Sequence, residues 1–213
     1  MKTILFQGDS ITDARRDYNN DNFSGHGYAT MVKGELGAEF PGKYVFFNRG
    51  VSGNRISDVY ARIKCDILNL KPDYMSLLVG VNDTWHELDR QNGVPANKYE
   101  KLYCMLLDEI YEQLPNIKII LLEPFVLHGS ATDSTEEQPD YFDRFSADVY
   151  EHAKAAAKVA EKYNLPFIRL QKIFDDALSK APSTYWTIDG VHPTAMGHEL
   201  IKREWIKVFN TIK

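Results

Sequence analysis

Three residues far apart in the chain have the side chains that a nucleophilic hydrolase uses. Ser10 follows an apolar run and Gly8-Asp9, and its hydroxyl is a weak nucleophile unless a nearby base takes the proton. His192 is a candidate base, because a neutral imidazole accepts a proton near pH 7. Asp189 lies three residues earlier in a glycine-containing turn and can accept from the other ring nitrogen. The three predict an acyl-transfer site.

Two further segments supply hydrogen-bond donors for the oxyanion of a tetrahedral intermediate. The backbone N–H groups of Ser10 and Gly53 and the side-chain amide of Asn82 are the candidate donors. Gly53 has no Cβ, so a ligand atom can approach its backbone closely.

Each of these residues also has a purely structural explanation. Ser10 is a suitable helix N-cap, and Gly53 is a suitable turn residue. Asn82 and Asp83 fit a turn with a cap, and His192 before a proline fits a loop. Their shared position after predicted strands favours the catalytic interpretation over four independent turns.

Five apolar runs predict the strands, namely residues 3–8, 44–50, 74–80, 117–124 and 166–170. Between them lie amphipathic stretches with apolar residues at helical spacing, at 27–40, 56–70, 99–114 and 145–163, and a last one at 196–209. This alternation predicts a parallel sheet covered on both faces, a doubly wound α/β sandwich. Ligands bind outside the carboxyl ends of the strands in such sheets. The polar segments above all belong to that edge.

Several residues near these segments are candidates for contact with substrate. Trp85 and His86 follow Asn82 in what is expected to be a loop, and Tyr185 and Trp186 precede Asp189. An aromatic ring at these positions provides a flat apolar wall, although packing at the rim of the core explains it equally well.

Two charged residues complete the predicted site. Arg55 follows Gly53 and is placed with the substrate-binding residues, with surface ion pairing as the alternative. Asp9 is placed there too, and together with Asp13 it is expected to hold the Ser10 turn by accepting backbone hydrogen bonds. Two long loops, 9–26 and 125–140, are expected to shape the site.

Composition limits the class of protein. The 213 residues are 44% hydrophobic and 26% charged, which fits one globular domain over 1–213. The net charge of -5 and the absence of a basic stripe argue against nucleic acid as a partner. No apolar stretch has the length of a membrane span or of a secretory h-region, so the expected location is the cytoplasm. Cys65 and Cys104 are expected to be buried thiols.

The four polar segments resemble the conserved blocks of the SGNH or GDSL hydrolases. GDSIT contains Ser10, NRGVSGN contains Gly53, GVND contains Asn82, and DGVHP contains Asp189 and His192. The resemblance implies a single-domain three-layer α/β/α sandwich of the flavodoxin-like kind, with a five-stranded parallel sheet of order 2-1-3-4-5. It also implies that Ser10, His192 and Asp189 are catalytic and that Ser10, Gly53 and Asn82 form the oxyanion hole.

Longer stretches such as LFQGDSITD and DGVHPTAMGHELI look most like the intracellular carbohydrate acetylesterases of this family, the acetylxylan-esterase type. The implied substrate is an acetyl ester of a sugar, for example an acetylated xylo-oligosaccharide, and neither a cofactor nor a metal is expected. One departure is Ile188, where some relatives have tryptophan. The alternatives are a lysophospholipase or thioesterase with longer acyl chains, and a catalytically silent sugar-binding protein. A homo-oligomer also stays open.

Overall fold

Five parallel strands form one sheet in the computed structural model, which describes residues 1–213. They are β1 (Lys2–Gly8), β2 (Tyr44–Asn48), β3 (Tyr74–Leu78), β4 (Lys118–Leu122) and β5 (Phe167–Ile168). The order is β2-β1-β3-β4-β5 and all pairs are parallel, which confirms the implied topology. Because β1 lies between β2 and β3, the carboxyl ends of these three strands are neighbours.

Nine α-helices and one π-helical turn connect the strands. The helices are α1 (Ser10–Asp13), α2 (Tyr28–Glu39), α3 (Ile56–Ala61), α4 (Val81–Arg90), α5 (Ala96–Gln113), α6 (Tyr141–Lys162), α7 (Leu170–Leu178), α8 (Ser183–Trp186) and α9 (Ala195–Ile212), and the π-helical turn is Lys64–Leu68. None of the helices combines the length and the apolar character that crossing a membrane requires.

Two separate cores cover the sheet, one on each face. Successive strand residues alternate between them, so Ile4 and Phe6 of β1 face one core while Leu5 faces the other. Helices α2 and α9 pack on the first face with 29 buried residues in the cluster, and α3 and α5 pack on the second with 22. This is the three-layer sandwich predicted from the pattern.

The helix predicted over 56–70 is divided in the structure. Helix α3 ends at Ala61, and the π-helical turn follows. The wider repeat of that turn changes which residues face the core: Ile67 and Leu68 are buried while Cys65 is exposed. The expectation that both cysteines are buried is therefore wrong for Cys65, and Cys104 is only partly covered.

The predicted loop around Asn82 is also a helix. Asn82 lies in the first turn of α4, which begins at Val81 directly after Gly80. The sequence VNDTWHELDR is polar on average, and its buried residues, 81–84, all lie in the first turn.

Asn48 anchors the loop that carries Ser10 to the end of β2. Its buried side-chain amide donates to the Thr12 carbonyl at 2.6 Å and to the Ser24 carbonyl at 2.9 Å. Its Oδ1 accepts from the backbone N–H of Gly50 at 2.9 Å. The long 9–26 loop is thereby held at two points by one side chain.

We expect Asn48→Ala to lower the free energy of unfolding by about 3 kcal/mol, because it leaves buried carbonyl and N–H groups without partners. Chemical denaturation followed by circular dichroism measures this change. Asn69→Ala, at an exposed asparagine, is the matched control and should change stability by less than about 0.5 kcal/mol. Equal effects of the two substitutions would contradict the anchoring role of Asn48.

Candidate active site

Asp9 determines how the chain turns from β1 into α1. It is the N-cap of α1, and its Oδ1 accepts from the backbone N–H of Ile11 at 3.0 Å. Ser10 is the first helical residue and has no capping bond, so the explanation of Ser10 as the N-cap is wrong. The hydroxyl of Ser10 is therefore not used in capping α1 and can contact other groups at the carboxyl edge of the sheet.

A continuous chain of hydrogen bonds joins Ser10, His192 and Asp189. The Ser10 Oγ lies 2.8 Å from His192 Nε2, and His192 Nδ1 lies 2.6 Å from Asp189 Oδ2. The other carboxylate oxygen of Asp189 accepts from the backbone N–H groups of Val191 at 3.0 Å and His192 at 2.8 Å. Asp189 is therefore fixed by its own loop, and it fixes the imidazole in turn.

This pairing shifts the ionisation of both partners. Burial raises the pKa of Asp189, but hydrogen bonds from the His192 ring and from the backbone of His192 and Val191 outweigh it and lower the pKa to about 2. The hydrogen bond to Asp189 raises the pKa of His192 above its ordinary value of 6.5, against an opposing effect of burial. The aspartate is consequently ionised at neutral pH and stabilises a protonated imidazole.

Three N–H groups beside Ser10 are available to a ligand. The backbone N–H groups of Ser10 and Gly53 have no acceptor in the protein. The Asn82 amide donates one hydrogen to the Asn54 carbonyl at 3.2 Å and has a second one free. Gly53 has a φ of +82°, a left-handed conformation that glycine adopts without strain. All three residues line one cavity of about 310 Å³.

The sequence matches the model of the GDSL-like lipase/acylhydrolase family over residues 6–200. The chain belongs to this family. It is accordingly a carboxylic ester hydrolase.

Relatives of this GDSL-family chain are similar to it in both sequence and structure. An acetylxylan esterase from Geobacillus stearothermophilus is 31% identical over 96% of this chain and 92% of its own length. A protein described as a GDSL-like lipase from Parabacteroides merdae superposes with a TM-score of 0.89 at 36% identity, covering 97% of this chain and 94% of its own. LAE5, an alpha/beta hydrolase from the metagenome of Lake Arreo, superposes with a TM-score of 0.84 at 28% identity, covering 100% and 96%.

Two of the predicted substrate-binding residues of this GDSL-family chain line the cavity beside Ser10. Trp85 lines the 310 Å³ cavity, and its ring centre is 6.0 Å from that of His192. His86 lines the same cavity, and its Nε2 lies 3.9 Å from where a Cβ on Gly53 would stand. Both project from α4 on the side that carries Asn82.

Two predicted aromatic contacts lie outside the cavities at Ser10. Trp186 is buried, and its indole N–H donates to the Ala181 carbonyl at 3.1 Å. Tyr185 packs edge-on against Trp186 and is otherwise turned to solvent. Neither residue lines the two cavities that contain Ser10, and contact between these aromatic rings and substrate stays a prediction.

Two charged residues named in the prediction, Arg55 and Asp9, have hydrogen-bond partners within the protein. Arg55 makes a two-pronged ion pair with Asp58 and donates to the Asn92 carbonyl, so surface pairing is correct for this residue. Asp9 is 1% exposed and cannot reach a substrate, although it does hold the Ser10 turn as expected. Burial raises the pKa of Asp9 to about 7, partly offset by the hydrogen bond from Ile11 and by His192.

Sequence reasoning missed Asn48 and His198. Asn48 is the last residue of β2, so the rule about the carboxyl ends of strands already indicated that position. His198 lies on α9 and lines a second cavity at Ser10, and its place on a helix gave no signal of a site. No group of three His, Cys, Asp or Glu side chains has the arrangement of a metal site.

We expect an NMR titration of the histidine rings to give His192 a pKa above 6.5 and His198 one of about 4, since burial lowers the latter. His192 should be neutral only above its pKa. Asp189→Asn should lower the pKa of His192, because the carboxylate that stabilises the imidazolium is lost. Asp143→Asn, which changes an exposed carboxylate on α6, is the control. An unchanged His192 pKa in the Asp189 variant would show that the pair is not ionic.

Proposed function

We propose that this hydrolase cleaves acetyl esters on carbohydrates such as xylo-oligosaccharides, through an acyl-enzyme on Ser10. The observation that carries the proposal is the hydrogen-bonded chain from Asp189 through His192 to Ser10, which ends beside three free N–H groups. This arrangement supplies a nucleophile, a base and an oxyanion site within one cleft.

In the proposed first step, the Ser10 oxygen attacks the ester carbonyl while His192 Nε2 takes the hydroxyl proton. The oxyanion accepts hydrogen bonds from the N–H groups of Ser10 and Gly53 and from the amide of Asn82. The imidazolium is stabilised by Asp189 and returns the proton to the departing alcohol oxygen. In the second step, His192 takes a proton from water, which attacks the acyl carbon, and the acid leaves as Ser10 regains its proton.

A short acyl group is supported by the cavity beside the oxyanion donors. It has a volume of about 310 Å³, and only one of its nine lining residues is hydrophobic. A long alkyl chain would gain little there, because the free energy of transfer from water depends on apolar contact.

The relatives support the same assignment. The Geobacillus stearothermophilus relative is an acetylxylan esterase, and structures of its catalytic mutants replace a serine, an aspartate and a histidine. These are the three residue types that form the hydrogen-bonded chain in this protein. The sugar is supported by that likeness alone, whereas the short acyl group is supported by the cavity as well.

We expect a series of 4-nitrophenyl esters from C2 to C12 to be hydrolysed with a sharp maximum at C2. Ser10→Ala should abolish turnover, because it removes the attacking oxygen. Ser179→Ala, at an exposed serine that follows the last residue of α7, is the matched control and should retain full activity. A maximum at long chains would instead support a lysophospholipase or thioesterase.

We expect Asn82→Ala to reduce kcat by on the order of 10²–10³ with little change in KM, because its amide acts on charge that develops in the transition state. Steady-state kinetics with 4-nitrophenyl acetate measures both constants, and Asn69→Ala is the control. A kcat near the wild-type value would remove Asn82 from the oxyanion site.

A further inference from the structure

Two cavities meet at Ser10 and His192. One is the oxyanion cavity already described, and the other, with a volume of about 600 Å³, is walled by the loop that carries His192 and by the segments around Arg15 and His26. We call this second space the alcohol cavity. The departing oxygen must receive its proton from His192 Nε2, so the alcohol leaves on the side that the His192 loop encloses.

Among the polar side chains of the alcohol cavity that have no partner in the protein, that of Arg15 is permanently charged. Arg15 and His26 both line the cavity and are exposed, and neither side chain makes a hydrogen bond or ion pair within the protein. Asp189 is the one carboxylate in the lining, and its oxygens already accept from His192 and Val191. The cavity therefore offers positive charge and no free negative charge, in a chain whose net charge is -5.

His198 adds a buried donor to the same wall. It is 7% exposed, and its Nδ1 accepts from the backbone N–H of Tyr28 at 3.2 Å. Burial lowers its pKa to about 4, so at neutral pH the ring is uncharged and its proton is on Nε2. That N–H has no partner in the protein and belongs to a residue that lines the cavity.

The backbone that carries Arg15 and His26 is held in a defined conformation, while their side chains are exposed. Ala14 and Arg15 have φ values of +42° and +62°, a left-handed conformation rarely adopted by residues with a Cβ. The His26 N–H donates to the Ala14 carbonyl at 2.8 Å. Gly25 permits this approach, since a Cβ there would lie 2.5 Å from the same carbonyl oxygen.

We propose that the alcohol cavity selects esters whose alcohol part carries an anionic oxygen group, a carboxylate or a phosphate, and that Arg15 is the residue that determines this specificity. His26 and His198 donate to the same group. The inference rests on the proposed function, which it narrows from acetylated sugars in general to acidic ones. An oxyanion is the ligand that satisfies donors and a cation together.

The test compares acetylated methyl glucuronoside with its methyl ester, which has the same ring and no charge, and with an acetylated methyl glucoside 6-phosphate. We expect kcat/KM to be on the order of tenfold higher for the acidic sugars. Arg15→Gln should remove that ratio and Arg15→Lys should keep part of it, while Arg144→Gln on α6 should leave it unchanged. Whether the carboxylate or the phosphate substrate has the higher kcat/KM identifies which anionic group the cavity selects.

Equal kcat/KM for the acid and its methyl ester, unaltered by Arg15→Gln, would overturn the inference while the esterase function stands. If no acetylated sugar is hydrolysed, the proposed function fails, and binding decides the inference. Calorimetry on Ser10→Ala should then show methyl glucuronoside binding more tightly than its methyl ester, with a shift of the His198 Nε2 resonance. Equal affinities for methyl glucuronoside and its methyl ester would also overturn the inference.

Discussion

The site depends on the parallel pairing of β1 with a strand on each side. Phe6 pairs with Asn48 of β2, and Gly8 pairs with Leu78 of β3, so three strands end at nearly the same level. Each connection that leaves this edge begins with polar residues, because backbone groups beyond the last pairing need other partners. Asp9 meets that need by capping α1, and Asn48 meets it by donating to two carbonyls of the loop that follows Ser10.

Two carboxyl groups near the cleft, Asp189 and Asp83, have pKa values shifted in opposite directions. Asp189 accepts three hydrogen bonds and stays ionised, whereas Asp83 is buried and its pKa is raised, with the Ile56 N–H as the main opposing influence. The backbone N–H of Ile56 contacts both oxygens of Asp83, which ties α3 to α4 directly behind the oxyanion donors. The carboxylate of Asp189 therefore orients the His192 imidazole, while the carboxyl group of Asp83 holds the helix that carries Asn82 in position.

The two cavities are proposed to hold different parts of the ester. The oxyanion cavity is small and polar and has room for a short acyl group, while the alcohol cavity is about twice as large and is lined in part by Arg15, His26 and His198. In the proposed mechanism, acyl length and the alcohol are therefore selected by different segments of the chain. Helix α4 lines the cavity proposed for the acyl group, and the segments around Arg15 and His26 line the cavity proposed for the alcohol.

Sequence by itself determined the alternation of strands and helices and the residues that meet at the triad. Ser10, Gly53, Asn82, Asp189 and His192 were all found from residue type and from their place after a strand, because parallel strands bring such positions to one edge. Tertiary structure alone decided which neighbours face the cleft. Trp186 turns inward, Arg55 pairs with Asp58, and Asp9 is sealed beneath the turn, whereas His198 reaches the cavity from α9. Such orientations depend on helix phase and on contacts between distant segments, neither of which is encoded in local spacing.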